Sequence, residues 1–211
     1  MLKIGLTQRV EVLRERNERW DCLDQAWSRL LSAQGYCLVP LPNWLEKVDE
    51  LIDDLGLEGV ILTGGNDPGH LPGAENAAPE RDAFERKLLD CCGGRGIPVL
   101  GVCRGMQMMV AHHGGEIVPV AGHVGTSHSI MVRSGSTMPL GDRAVVNSYH
   151  DFGVYPDRLG PDWQVAGTAP DGSAEAVVHR SLRQWAIMWH PERPLGDERD
   201  MDLVRALFNG S

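Results

Sequence analysis

No stretch of this chain approaches the ~18 uninterrupted apolar residues of a membrane-spanning helix, so a membrane protein is not expected. The opening residues, Met1-Leu2-Lys3-Ile4-Gly5-Leu6, lack the charged n-region and cleavage site of a secretory leader. Positive charge is scarce: 20 Lys and Arg stand against 29 Asp and Glu, a net charge of −9. That balance argues against a general nucleic-acid binder. The five cysteines (Cys22, Cys37, Cys91, Cys92 and Cys103) contain no C-x-x-C pair, which speaks against a thiolate zinc site. Their odd count and irregular spacing exclude a disulfide framework and read as reduced thiols of a cytoplasmic protein. Both phosphate-loop patterns, G-x-x-x-x-G-K and G-x-G-x-x-G, are missing. Repeats, low-complexity tracts and linkers are missing too. What remains is one ordinary soluble domain over residues 1–211, with 42% hydrophobic and 23% charged residues.

The first half alternates strand and helix signals. Lys3–Gln8, Tyr36–Leu41, Gly59–Thr63 and Ile97–Val102 read as apolar strands. Between them, Asp21–Gln34 places Leu23, Ala26, Trp27, Leu30 and Leu31 on one helical face. Asn43 and Glu46 form a capping-box pattern ahead of a second helix. Glu80–Cys92 and Arg104–His113 supply two more. Apolar strands alternating with amphipathic helices predict a doubly wound α/β fold: one mainly parallel sheet with helices on both faces. The second half carries short strand signals at Ser127–Val132, Arg143–Asn147, Trp163–Thr168, Ala174–His179 and Trp185–Trp189, with a hairpin turn at Pro170-Asp171-Gly172. These predict antiparallel extensions, and a helix over Asp197–Phe208 closes the chain.

Two motifs carry chemistry. Gly101-Val102-Cys103-Arg104-Gly105 lies where an apolar strand meets a helix, the context of a nucleophile elbow. Small residues on either side let strand and helix approach, and the helix N-terminus stabilises a thiolate. A buried cysteine between structural glycines would read the same way. Trp189-His190-Pro191-Glu192 tips the balance. The residue before a proline is extended, so His190 and Glu192 face the same side and the carboxylate can orient the imidazole. The other ring nitrogen is then free to take the Cys103 proton, giving a catalytic Cys103, His190 and Glu192.

With these motifs in hand, the sequence resembles the class I (triad) glutamine amidotransferases, within them the γ-glutamyl hydrolase-like branch. The resemblance rests on four ordered anchors. They are Gly64-Gly65-Asn66-Asp67, the run from Arg81 through Glu85 into Ile97–Gln107, Val146-Asn147-Ser148-Tyr149-His150, and Trp189–Glu192. It implies that Cys103 attacks a γ-carbonyl while His190 serves as base and then acid. It implies an oxyanion hole from the backbone N–H groups of Gly65 and Arg104. Gly64, Gln107, Asn147, Ser148, Tyr149 and His150 match positions that hold the glutamyl part of the substrate, although His150 reads equally well as a structural loop histidine. The chain is shorter than typical hydrolase-branch members. The segment Asp21–Trp27, after an arginine-rich first loop, is similar to a subgroup of surface-polysaccharide (capsule) pathways, which includes enzymes that hydrolyse γ-glutamyl-CDP-amidate.

The implied partner is a small γ-glutamyl substrate, with a nucleotide-linked leaving group and a homo-oligomer both left open. No cofactor is called for. No metal is expected either, because His123 and His128 have no carboxylate at ligand spacing and His112-His113 ends a helix. Arg9, Arg14, Arg16 and Arg19 form a cationic first loop. If the first strand runs parallel to the nucleophile strand, Arg9 emerges beside Cys103 and can clamp a phosphate. Otherwise it is a solvated loop balanced by Glu11, Glu15 and Glu18. Two other functions stay open: a glutaminase subunit delivering ammonia to a separate synthase, and a silent binding module on the same fold.

Overall fold

The computed structural model describes residues 1–44, 46–142, 145–193 and 198–210. In chain order it contains β1 (Lys3–Thr7), β2 (Arg9–Leu13), β3 (Glu18–Cys22), α1 (Gln25–Ala33), β4 (Cys37–Leu41), α2 (Val48–Leu55), β5 (Gly59–Leu62), α3 (Pro79–Arg95), β6 (Val99–Val102) and α4 (Arg104–His112). There follow β7 (Val118–Pro119), β8 (Thr126–Ser129), β9 (Met131–Val132), β10 (Val145–Ser148), β11 (Phe152–Gly153), β12 (Trp163–Thr168), β13 (Ala174–His179), β14 (Gln184–Ile187) and α5 (Glu198–Asn209).

The main sheet runs β4-β1-β5-β6-β14-β13-β12-β9 among the described residues. Its first five strands are mutually parallel, and β13, β12 and β9 add antiparallel pairs. This is the expected α/β architecture, except that the Trp185–Trp189 strand, expected among the antiparallel extensions, lies within the sheet as β14, parallel to β6 and antiparallel only to β13. Side chains alternate along each strand, so one sheet feeds two cores. Val60, Leu62 and Val99 pack with Ile52 of α2, Phe84 and Leu88 of α3, and Met106 and Met109 of α4. Ile4, Leu6, Ile61, Leu100 and Val102 pack on the opposite face with Trp27 and Leu31 of α1 and Leu203 and Leu207 of α5.

Four further details depart from the sequence reading. The arginine-rich first loop is a β-hairpin, with Arg9 paired to Cys22 and Leu13 to Glu18. Because Glu18–Cys22 is a strand, α1 starts only at Gln25, capped by Asp24, whose carboxylate accepts from the Ala26 N–H at 2.9 Å. The Asn43/Glu46 capping box is not used: α2 begins after Lys47 with no side-chain cap. Asn43 is buried and instead donates to the Asp21 carboxylate (2.7 Å) and the Gln8 carbonyl (3.0 Å), tying the hairpin to the sheet. Finally, Ser127–Val132 is split: β8 pairs with β10 in a separate ribbon, while β9 joins the main sheet. Ile130, buried between them, marks the switch. Arg143 and Asp197, which began two of the expected elements, lie outside the described residues.

Candidate active site

Every parallel strand of the sheet points the same way, so the ends of β1, β5, β6 and β14 meet at one edge. The crevice outside those ends is where open α/β sheets bind ligands. Cys103 stands at the tip of β6 as the N-cap of α4, with φ 53° and ψ −107°. A β-carbon pushed into positive φ is strained, and such strain gathers at working sites. The turn is held by the Cys103 N–H donating to the Ile187 carbonyl at 2.8 Å. It also needs Gly105, where a β-carbon would lie 2.1 Å from the Leu62 carbonyl oxygen.

His190 follows β14 and is nearly sealed from solvent. Its Nδ1 lies 2.7 Å from Glu192 Oε1, and its ring hydrogen-bonds the Cys103 sulfur. The structure thus brings the three sequence-identified residues together. Burial alone would raise the Cys103 thiol. The His190 hydrogen bond and charge, with the Arg104 backbone N–H, outweigh burial and hold it below its ordinary value. Burial alone would lower His190, yet Cys103 and Glu192 lift it to about 9. Both shifts favour the thiolate–imidazolium form of the pair. Cys92 shows the contrast: buried without such partners, it is pushed up to about 12.

The sign of these shifts sets a pH window. Alkylation of Cys103 by iodoacetamide should have its pH midpoint below that of an ordinary thiol. Turnover should decline above about pH 9, as the imidazolium that must protonate the leaving group is lost. His190→Ala should move the alkylation midpoint upward. An unchanged midpoint, read by mass spectrometry of the labelled thiol, would refute the ion pair.

The loop after β5 carries Gly64 and Gly65. A β-carbon on Gly64 would sit 2.7 Å from His190 Cε1, so only glycine leaves the imidazole room. Arg81, fully buried in α3, donates to the carbonyls of Thr63 and Gly65, each at 2.6 Å, and so fixes that loop. Arg104 in turn pairs with Asp82 and Glu85, and Glu85 also accepts from Arg81 at 2.8 Å. Two guanidinium and two carboxylate groups thus interlock beneath the nucleophile.

The other residues named from sequence fall into three groups. Asn147 spends both polar atoms on the backbone of His190, donating to its carbonyl (2.9 Å) and accepting from its N–H (2.8 Å). It seats the imidazole. Gln107 donates to the Phe152 carbonyl at 2.9 Å, while Ser148 and His150 are buried behind the site. Tyr149 is exposed; its ring edge faces His190 (centroids 5.7 Å apart), and Arg193 lies over its face at 4.1 Å.

A cleft beside His190 is lined by Arg9, Cys22, Asp24, Gly64, Gly65 and Arg193, among others. Arg9 reaches it because β1 is parallel to the sheet, and it pairs with Glu11 at 3.0 Å. Arg19 instead binds Glu80 of α3 (2.7 Å), anchoring the hairpin. Sequence reasoning missed the clamping role of Arg81 and the place of Arg193. The first lay inside a recognised run, and the second had only its closeness to Glu192 to recommend it.

An elbow cysteine, a histidine–glutamate pair and a parallel sheet define the class: a hydrolase of the glutamine amidotransferase type. The chain belongs to the peptidase C26 family, whose sequence profile matches residues 4–192. It is 31% identical over 195 residues to gamma-glutamyl-CDP-amidate hydrolase of Campylobacter jejuni subsp. jejuni serotype O:2, covering 92% of this chain and 91% of that protein. It is 30% identical over 219 residues to gamma-glutamyl-gamma-aminobutyrate hydrolase of Escherichia coli O157:H7, covering 89% and 84%. A crystal structure of a glutamine amidotransferase from Thermotoga maritima shares the fold, with a TM-score of 0.68 at 17% identity, covering 97% of this chain and 82% of that one.

Proposed function

We propose that the protein hydrolyses a γ-glutamyl phosphoramidate of a nucleotide, of the γ-glutamyl-CDP-amidate kind, and releases L-glutamate. The observation that carries this reading is the His190–Glu192 pair, beside the Cys103 elbow, lining a cleft that Arg9 and Arg193 also line. The Cys103 thiolate adds to the γ-carbonyl, and the N–H groups of Gly65 and Arg104 receive the oxyanion. The His190 imidazolium gives its proton to the leaving nitrogen as the C–N bond breaks, leaving a γ-glutamyl thioester. Neutral His190 then takes a proton from water, which attacks the thioester; glutamate departs and the thiolate returns. Glu192 keeps the ring aligned through both steps.

A phosphate on the leaving group would compete with Glu11 for the Arg9 guanidinium, through paired charge-assisted hydrogen bonds. The unpaired cysteines suit a reducing compartment, which in this reading is the cytoplasm, where the product would feed a capsule phosphoramidate route. The test is glutamate release from γ-glutamyl-CDP-amidate, glutamine and γ-glutamyl-GABA by the purified protein. The nucleotide compound should be turned over far better. Arg9→Ala should raise KM for it by roughly ten- to a hundredfold, with little change on the simple amides. Equal loss on all three would overturn the phosphate contact. Glutamine turnover that appears only with a partner protein would favour an ammonia-delivering subunit instead.

A further inference from the structure

Behind the site, four side chains from separate parts of the chain converge. They are His123, His128 on β8, His150 just after β10, and Glu175 on β13. The sequence offered His123 and His128 no carboxylate; the fold brings one from 47 positions beyond His128, because β13 passes under the β8–β10 ribbon.

The outward nitrogens fix the protons. His123 Nε2 faces the Asp171 carboxylate at 3.1 Å. His128 Nδ1 faces the Ser129 carbonyl at 3.1 Å and His150 Nδ1 the Phe152 carbonyl at 3.0 Å. All three partners are acceptors, so each of these nitrogens carries the hydrogen. The inward nitrogens of neutral rings are then lone pairs, and all of them point at a carboxylate. His123 Nδ1, His128 Nε2 and His150 Nε2 lie 3.6, 3.7 and 3.5 Å from Glu175 Oε1. His123 Nδ1 and His128 Nε2 are 3.2 Å apart. The Ser148 hydroxyl, 3.4 Å from His123 Nδ1, is a further polar neighbour. Glu175 is wholly buried, and among the described residues its oxygens and His150 Nε2 make no well-formed hydrogen bond beyond their approach to one another at 3.5 Å. Lone pairs facing a carboxylate in a buried pocket call for positive charge between them, which a proton on His150 or a metal ion would supply.

The dimensions say which. Metal–ligand bonds of about 2.0–2.1 Å in a tetrahedron put the ligand atoms about 3.3 Å apart. Four of the six separations, 3.2–3.7 Å, come close to that edge, and all four ligand atoms lie within 4.8 Å of one another. Three imidazoles with one carboxylate, each imidazole braced by an outer acceptor, make a zinc-type donor set with its supporting shell.

We propose that His123 Nδ1, His128 Nε2, His150 Nε2 and a Glu175 oxygen form a closed, structural site for one zinc ion. Such an ion ties the β8–β10 ribbon to β13 of the main sheet. Because Asn147 on β10 brackets the His190 backbone, it also secures the seat of the imidazole without touching substrate.

The test is elemental analysis of the full-length protein as purified, with thermal melting before and after chelation. About one zinc per chain is expected, and stripping should lower Tm by roughly 5–10 °C, restored by one equivalent of zinc. Glu175→Gln and the partly exposed His128→Ala should both lose the metal, whereas Cys103→Ala should keep it. Cobalt substituted for zinc should show the visible bands of a four-coordinate ion with no thiolate charge-transfer band. Two results would overturn the proposal: negligible zinc with no Tm response to added zinc, or a thiolate band that disappears in Cys103→Ala.

Discussion

Cys103→Ala should lower turnover on the order of 10⁶-fold while leaving the melting temperature nearly unchanged. The Cys103 sulfur is the nucleophile coupled to His190, and its removal deletes the route through an acyl intermediate. The elbow itself is held by the Cys103 N–H bond to Ile187 and by the close approach of Gly105 to Leu62, and alanine keeps both. His190→Ala should cost a comparable factor, and the double variant should be no worse than either single one, since the two act as a unit. Glu192→Gln should cost less, because Glu192 orients and does not react. Glutamate release, followed alongside circular dichroism melting, decides the matter. A Cys103→Ala protein that retains even a hundredth of the activity would move the nucleophile elsewhere.

Glu85→Ala should be among the most destabilising single changes in the chain, by about 3–5 kcal/mol. Glu85 is fully buried between Arg81 and Arg104. Burial favours its neutral form, yet Arg104 and then Arg81 hold its carboxyl below the ordinary value, so it is charged in the folded protein. Arg81 is itself pushed down to about 10, by burial first and by Arg104 next, with Glu85 acting against both. Removing the carboxylate takes the Glu85 counter-charge from buried Arg81 and leaves Arg104, beside it, with Asp82. Tm should fall by roughly 10 °C or more, and the Gly64–Gly65 loop, which hangs on Arg81, should loosen with it. Urea unfolding with the midpoint within a few tenths molar of wild type would contradict the account.

The parallel sheet was legible because its central strands β5 and β6 are buried throughout and its strands read as unbroken apolar runs between helices. The Cys103 elbow and the His190–Glu192 pair were legible for a related reason: each sits at the end of such a strand and carries a local signature. The hairpin of Arg9–Cys22 was not. Its alternation is faint, with Val10 the one residue of either strand that is buried, so nothing in burial periodicity separates it from a polar loop. The Asn43 capping signal was real chemistry at the wrong address, since the Asp21 carboxylate of the hairpin outcompeted the helix end for this buried amide. The meeting of His123 and His150 with Glu175 was invisible, because no spacing rule links residues that only a β-strand crossing brings together.

That hairpin has a consequence for how such a protein diversifies. Among the described residues its strands pair only with each other, and the Asn43–Asp21, Asn66–Val10 and Arg19–Glu80 contacts attach it to the body. Its base, Arg9 and Cys22, opens on the cleft, while its turn at Arg14–Asn17 lies at the far end of the ladder. The core asks almost nothing of its sequence. It can therefore be rewritten, lengthened or grafted from a relative as a cassette, changing what departs from the glutamyl group without retuning the thiolate, the imidazole or the sheet that holds them.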